Sequence, residues 1–323
     1  MNKEILINQV ISILEQSGFN VSERCNIRPR SFDIAARRNE RLLLIKVLSN
    51  IDGLKEDTAQ EMMYLAEYLE GSALLVGEKT RDQPLEPTVV YYRYGIPSVN
   101  IDTIFDYFIE ELPPVVYAAP GGLYVSVDGS VLREQRICKK LSIGAMASEL
   151  GLSRRTISKY EEEGMDMSVD MVIRIEEMFN TGIALAIDFL NVDNTKVKSG
   201  THPVEKEPGT TIRSILSNLD IEVIPISQAP FSAVSFEHRE NINQDNISKI
   251  LTGFSNYSGT MMKRAKLMSS ISEVTNTYSM VIVNGHCRSE KVENTVLVEK
   301  KKLDTMDDFL DLMTFISEKV KKT

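Results

Sequence analysis

Ile143-Gly-Ala-Met-Ala-Ser-Glu-Leu-Gly-Leu-Ser-Arg-Arg-Thr-Ile-Ser-Lys-Tyr-Glu161 is the stretch whose reading decides the fold. Ala147 stands where two crossing helices need a small residue. Gly151 stands where the turn between them needs tolerance of positive φ, and Ile157 where the second helix needs a buried aliphatic anchor. The spacing predicts a helix-turn-helix.

Around it, apolar periodicity predicts five short helices over 130–140, 143–150, 153–163, 168–179 and 184–190. Ser142, Ser153 and Ser168 are each placed to accept a hydrogen bond from a first-turn amide. The expected core is Leu132, Ile137, Leu141, Met146, Leu150, Leu152, Ile157, Val172, Ile175 and Phe179. In such a motif the second helix enters the DNA major groove with its N-terminal residues at base edges. That position holds Arg154, Arg155, Ser158 and Lys159. An arginine fork matches the O6 and N7 acceptors of guanine, and lysine reaches guanine or phosphate.

The 323-residue chain carries a formal net charge of -9, so binding to a polyanion has to come from a local basic surface. Positive charge gathers at Arg133, Arg136, Lys139, Lys140, Arg154, Arg155 and Lys159, and the carboxylates follow Tyr160. A basic face with an acidic back fits specific binding with modest nonspecific affinity.

Leu132-Arg-Glu-Gln-Arg136, residues 142–150 and the run from Gly151 to Glu161 resemble the Cro/C1-type (XRE) helix-turn-helix family. With Val116-Tyr117 and Gly121-Gly-Leu-Tyr124 ahead of Leu132-Arg133, the whole chain resembles the archaeal HTH-type transcriptional regulators. The resemblance implies a sequence-specific regulator bound to double-stranded DNA, working as a homodimer on a two-fold operator. One position departs from the pattern. Ile143 occupies the place where the family often has a phosphate-touching glutamine, which leaves backbone anchoring to the Ser142 and Ser153 ends, Arg136 or Lys139.

Residues 1–114 read as an α/β domain. They show a helix over 4–17, strands over 19–23, 32–36 and 41–48, a helix over 58–69, strands over 73–76 and 88–92, and a helix over 103–112. Pro29-Arg-Ser-Phe-Asp33 followed by Leu42-Leu-Leu-Ile-Lys46 resembles the restriction-endonuclease-like core, in which an aspartate and a Glu-x-Lys triplet share a hairpin. Two carboxylates there hold a divalent ion. Here Asp33 and Lys46 are present, but Leu44 stands at the second carboxylate, and no spacing demands Glu15 or Glu40 as a substitute. The expectation is a catalytically silent fold with no metal and no cofactor. The alternatives are a metal-dependent nuclease targeted by the helix-turn-helix, and an antitoxin-like protein-interaction scaffold.

Residues 115–129 predict a β-hairpin around Pro120-Gly-Gly122, either a wing beside the helices or, as expected here, a staple between domains. Residues 191–211 read as a linker. Residues 212–323 repeat the first domain in outline: Ile215-Leu-Ser-Asn-Leu-Asp-Ile-Glu-Val223 matches Ile13-Leu-Glu-Gln-Ser-Gly-Phe-Asn-Val21, and Val281-Ile-Val283 matches Leu74-Leu-Val76. The second copy lacks a recognisable Asp and Lys pair, and a Ser/Asn-rich stretch stands in place of the first copy's hairpin. The fold class is thus multi-domain α/β plus all-α, with a central five-helix module between two restriction-endonuclease-like domains.

Cys25, Cys138 and Cys287 are far apart and odd in number, and His202, His238 and His286 are as scattered. This argues for reduced thiols in a cytoplasm and against a zinc site. No stretch predicts a signal peptide or a membrane span, Lys300-Lys-Lys302 reads as a solvated turn, and no effector ligand is signalled.

Overall fold

The computed structural model describes residues 3–190, 209–237 and 248–321. Most of the expected linker, together with His202 and His238, lies outside the described residues. Residues 209–211 instead open a helix.

The first α/β block runs α1 (Lys3–Gln16), β1 (Asn20–Val21), β2 (Ile34–Arg38), β3 (Arg41–Asn50), α2 (Glu56–Tyr68), β4 (Gly71–Lys79), β5 (Val89–Arg93), β6 (Ile96–Val99) and α3 (Ile101–Phe108). The β6 strand has no counterpart in the sequence reading, because the Tyr94-Gly95 turn packs two short strands into one apolar run. The β2–β3 turn is tighter than expected. Arg38 faces Arg41, and Asn39 takes a positive φ of 55°.

The last block runs α8 (Gly209–Leu216), β10 (Ile221–Pro225), β11 (Ala233–Glu237), β12 (Ile250–Ser255), α9 (Gly259–Thr275), β13 (Tyr278–Val283), β14 (Lys291–Val292), β15 (Thr295–Glu299), α10 (Lys300–Leu303) and α11 (Phe309–Lys321). Its strand order, β10-β11-β12-β13-β15-β14, is that of the first block, β1-β2-β3-β4-β6-β5. Ile212, Leu216, Val223, Ile250, Met280, Ile282, Val296 and Ile316 fill its core. Two expectations are corrected. A β11–β12 ladder occupies the place read as lacking a hairpin, since Ala233, Val234, Ile250 and Leu251 supply enough apolar surface on their own. Lys300–Leu303 is a short helix, closed by buried Leu303.

The ladders set the correspondence between copies. Asp33 N donates to Ile45 O (2.7 Å), and Ser232 N donates to Thr252 O (2.8 Å), where Ile34 faces Ile45 and Ala233 faces Thr252. One strand outward, Val21 faces Ala36 and Val223 faces Ser235. Ser232 and Gly253 therefore stand at the positions of Asp33 and Lys46, so neither a carboxylate nor a lysine occupies them in the second copy.

The chain divides into two compact units. One holds 1–13, 49–52 and 76–192, and the other holds 14–48, 53–75 and 193–323. Within the second, the two copies grip one another reciprocally. Arg37, three residues past Ile34, donates from Nε to Val274 O (2.8 Å) and from Nη2 to Thr275 O (3.2 Å) at the end of α9. Phe236, three residues past Ala233, stacks on Tyr68 at the end of α2, with ring centroids 6.2 Å apart. A contact of residue i with j′ that is answered by j with i′ is the signature of a two-fold interface, made here inside one chain. In the same contact Glu61, 3% exposed, accepts from Ser227 N and from Gln228 N (3.0 Å), while its other oxygen accepts from Ser227 Oγ (3.1 Å). Ser31 N and Oγ donate to Gln228 O at 2.7 and 3.0 Å.

In the first unit, β5 pairs in parallel with β7 (Val116–Ala119), β7 with β8 (Gly122–Val125), and β8 with β9 (Met167–Ser168). The hairpin is thus hydrogen-bonded to the α/β sheet on one side and to the helical module on the other. Tyr117 and Ser126 both donate to Asp166, at 2.5 and 2.6 Å. Burial and that carboxylate push the Tyr117 hydroxyl above its ordinary range, so it stays a donor.

The module has four helices: α4 (Gly129–Cys138), α5 (Ile143–Leu150), α6 (Arg154–Glu162) and α7 (Val169–Phe179). The expected fifth, over 184–190, is an extended strap. Glu176 Oε1 accepts from Ile183 N (2.8 Å) and Ala184 N (3.2 Å), Ala184 bridges to Val127, and Ile187 N donates to Pro114 O (2.7 Å). Those amides are committed sideways, which leaves no helical ladder to form. Of the expected core, Ile137 is 55% exposed, while Tyr160 joins it from within a predicted helix and Val125, Val127, Met167 and Ile183 join it from outside them.

Candidate nucleic-acid interface

Each turn of the motif has a local cause. Ser142 Oγ accepts from Ala145 N and Ser153 Oγ from Thr156 N, both at 3.0 Å, so each hydroxyl satisfies an amide that helix geometry leaves unpaired. Ser168 makes no such bond, and its backbone pairs with Tyr124 in the sheet. Gly151 closes α5 at φ 71°, in the left-handed region that glycine enters without strain. Ala147 and Ile157 are buried at the crossing of α5 and α6.

Arg154 and Arg155 are exposed at the start of α6, with Ser158 and Lys159 half-buried on its next turn. Lys159 lies 3.7 Å from Glu163, a surface pair of small energetic weight. Two residues expected at the interface have other work. Arg136 is buried, and its guanidinium forks onto Glu161, Nε to Oε1 at 2.6 Å and Nη2 to Oε2 at 2.8 Å, while Nη1 donates to Leu141 O at 2.8 Å. These bonds tie α4 to α6 and hold Arg136 still more firmly protonated than usual. Lys139 donates from Nζ to Met178 O (2.6 Å), and its charge lies against the last carbonyls of α7. The remaining basic residues of α4 and its end, Arg133 and Lys140, are exposed.

Gly129 and Gly144 were not singled out from the sequence. A Cβ at Gly129 would strike the carbonyl oxygens of Tyr160 and Glu161, so α4 starts directly on the end of α6. Their signal was a glycine near the start of a helix, where it costs about 0.5–1 kcal/mol relative to alanine.

The nuclease-like positions lie in the second unit. Asp33 is fully buried. Arg30 Nε donates to its Oδ1 at 2.8 Å and Val47 N to its Oδ2 at 2.9 Å, while Lys46 Nζ donates to Arg30 O at 2.9 Å. Leu44 is buried, and Glu15 and Glu40 are exposed. Among the described residues no three carboxylate, histidine or cysteine side chains gather as metal ligands. Burial pushes the neighbouring Cys25 thiol up to about 11.

Two family models match the chain, a PD-(D/E)XK superfamily domain over 3–114 and a helix-turn-helix over 132–185. Over its full length the chain is 52% identical to a "Putative HTH-type transcriptional regulatory protein" of Methanosarcina barkeri, covering 99% of this chain and 98% of that protein. It is 51% identical to the same-named protein of Methanococcoides burtonii (100% and 99% covered) and 41% identical to that of Haloarcula marismortui (99% and 98%). The chain belongs to this archaeal family of HTH-type transcriptional regulators. No solved structure matches it. In this family member the Cro/C1-type motif is carried by α5 and α6, and the position of Ile143 is a half-buried residue packed on the module core. Among the described residues, no helix is long and apolar enough to cross a membrane.

Proposed function

We propose that the chain is a sequence-specific regulator that reads the DNA major groove with the N-terminal half of α6. The observation that carries the reading is the pair Arg154 and Arg155, exposed at the first two positions of a helix whose seat is fixed by Ser153, Gly151 and the Arg136–Glu161 pair. Ser158 and Lys159 extend the same surface, and Ser142 and Ser153 place helix ends toward the backbone. Recognition of a two-fold operator requires two chains, so the reading includes a homodimer on double-stranded DNA. A duplex selected on the wild-type chain tests it. The Arg154→Ala, Arg155→Ala double variant should bind at least about thirty-fold more weakly, from two contacts of roughly 1–3 kcal/mol each. Unchanged affinity and specificity would remove the assignment.

The first α/β block is read as catalytically silent. Support comes from Leu44 at the second carboxylate position and from the Asp33 carboxylate, already held by Arg30 and Val47. A single carboxylate so engaged is a poor seat for a divalent ion. Incubation of supercoiled and linear DNA with magnesium or manganese should give no cleavage. Cleavage that disappears in Asp33→Ala would overturn the reading in favour of a targeted nuclease.

A further inference from the structure

The nuclease-like cluster of the second unit carries the wrong sign for a metal ion. In the fold it resembles, two carboxylates and a lysine leave one net negative charge to hold a divalent ion. Here Leu44 deletes one carboxylate and Arg30 adds a guanidinium. In formal charge, Arg30 and Lys46 therefore stand against Asp33 alone, two cations to one anion. The cluster is also largely out of water: Asp33 is fully buried, Lys46 is 8% exposed and the Arg30 side chain 13%. Cys25, the thiol beside them, does not offset the excess, because burial raises its pKa to about 11 and keeps it neutral.

The donors are held in place. Arg30 Nε is engaged by Asp33 Oδ1 at 2.8 Å, while no described group bonds its Nη1 or Nη2. Lys46 Nζ donates to Arg30 O at 2.9 Å, which ties the ammonium to the backbone of the same residue. The next residue is pinned in turn, since Ser31 N and Oγ both donate to Gln228 O. Arg28, exposed two residues before Arg30, adds a third cation to the loop. A guanidinium fork with a lysine beside it matches the oxygens of a phosphate, and a positive excess removed from water is stabilised by an anion.

The second copy lacks all three charges. Ser232 and Gly253 stand at the positions of Asp33 and Lys46, and Ala229 precedes Ser232 by three residues as Arg30 precedes Asp33.

Resting on the reading of the first block as catalytically silent, we propose that the Arg30, Lys46 and Asp33 cluster is a phosphate-binding site, the metal seat of a nuclease converted into a seat for an anion. Arg30 and Lys46 contact the phosphate oxygens. Asp33 is a positioning residue that orients the guanidinium. The phosphate group belongs either to a DNA backbone or to a small phosphorylated molecule, and the two sources separate by experiment.

The full chain is titrated with inorganic phosphate in a calorimeter at constant ionic strength, in a buffer otherwise free of phosphate. Saturable binding is expected. Lys46→Met removes the charge excess and should weaken it about ten-fold or more, the loss of one charge-assisted hydrogen bond. Arg30→Lys keeps the charge but loses the fork, and should weaken it less. Lys300→Met removes an exposed charge from α10 and should bind as wild type. Circular dichroism checks that each variant is folded. Repeating the titration with a selected duplex separates the sources. Undiminished phosphate binding identifies a small phosphorylated molecule. Displacement by the duplex identifies the DNA backbone, and the slope of log affinity against log salt should then be shallower by about 0.9 in Lys46→Met, one phosphate contact.

Absence of saturable phosphate binding, or equal affinity in wild type, Arg30→Lys and Lys46→Met, overturns the proposal and leaves the silent reading standing. Magnesium-dependent cleavage that disappears in Asp33→Ala overturns both.

Discussion

Arg136→Ala is expected to destabilise the helical module by about 3–5 kcal/mol, because it leaves the Glu161 carboxylate, 3% exposed, buried without its partner. Thermal or urea unfolding followed by far-UV circular dichroism reads the loss. The Arg136→Met, Glu161→Leu pair removes both charges together and should return most of the stability, since a buried ion pair and a well-packed apolar pair are often close in energy. DNA affinity should fall with Arg136→Ala only as far as the module unfolds, and the salt slope of the folded fraction should stay at the wild-type value. A loss below about 1 kcal/mol, or a slope shallower by one phosphate contact, would return Arg136 to the DNA-facing set and undo its role as the tie between α4 and α6.

Glu61→Ala should loosen the grip between the two α/β copies. The substitution strands Ser227 N and Gln228 N, and a buried donor left without a partner costs about 1–3 kcal/mol. A total of about 2–4 kcal/mol is expected, less than the sum because water can reach part of the gap. Hydrogen exchange locates the effect. Amides of 221–237 and of α2 should lose protection together, while the helical module keeps its own. Glu61→Gln, which retains an acceptor oxygen, should lose less. Equal protection in wild type and Glu61→Ala would mean that the carboxylate is not what joins the copies.

The legible part of this protein was local. Gly151, Ala147 and Ile157 each answer to the geometry of one turn and the helices beside it, and the hydroxyls of Ser142 and Ser153 reach amides three residues on. The roles of Arg136 and Glu161 were not legible, because the partners lie twenty-five residues apart and each reads, alone, as an exposed helix charge. The strap at 184–190 was misread for a related reason. Its apolar spacing suits a helix, but Glu176 and Val127 hold its backbone from elsewhere in the fold. A signal for Glu61 did exist. It lies four residues before Leu65, on the buried phase of α2, where a carboxylate needs a partner. The β11–β12 ladder was hidden by Ser232, Ser235 and Thr252, small hydroxyl residues that are buried yet weaken the apolar alternation a strand is recognised by.

The reciprocal contact inside the second unit has a consequence for stoichiometry. A surface of two-fold character that is closed between two copies in one chain forms in a unimolecular step, so dilution does not open it and the total amount of protein does not regulate it. The proposed recognition helix, by contrast, occurs once among the described residues. On the two-fold operator proposed above, filling both half-sites takes a second molecule that meets the first through some other surface or through the DNA, and operator occupancy should then rise more steeply than linearly as the chain accumulates in the cell.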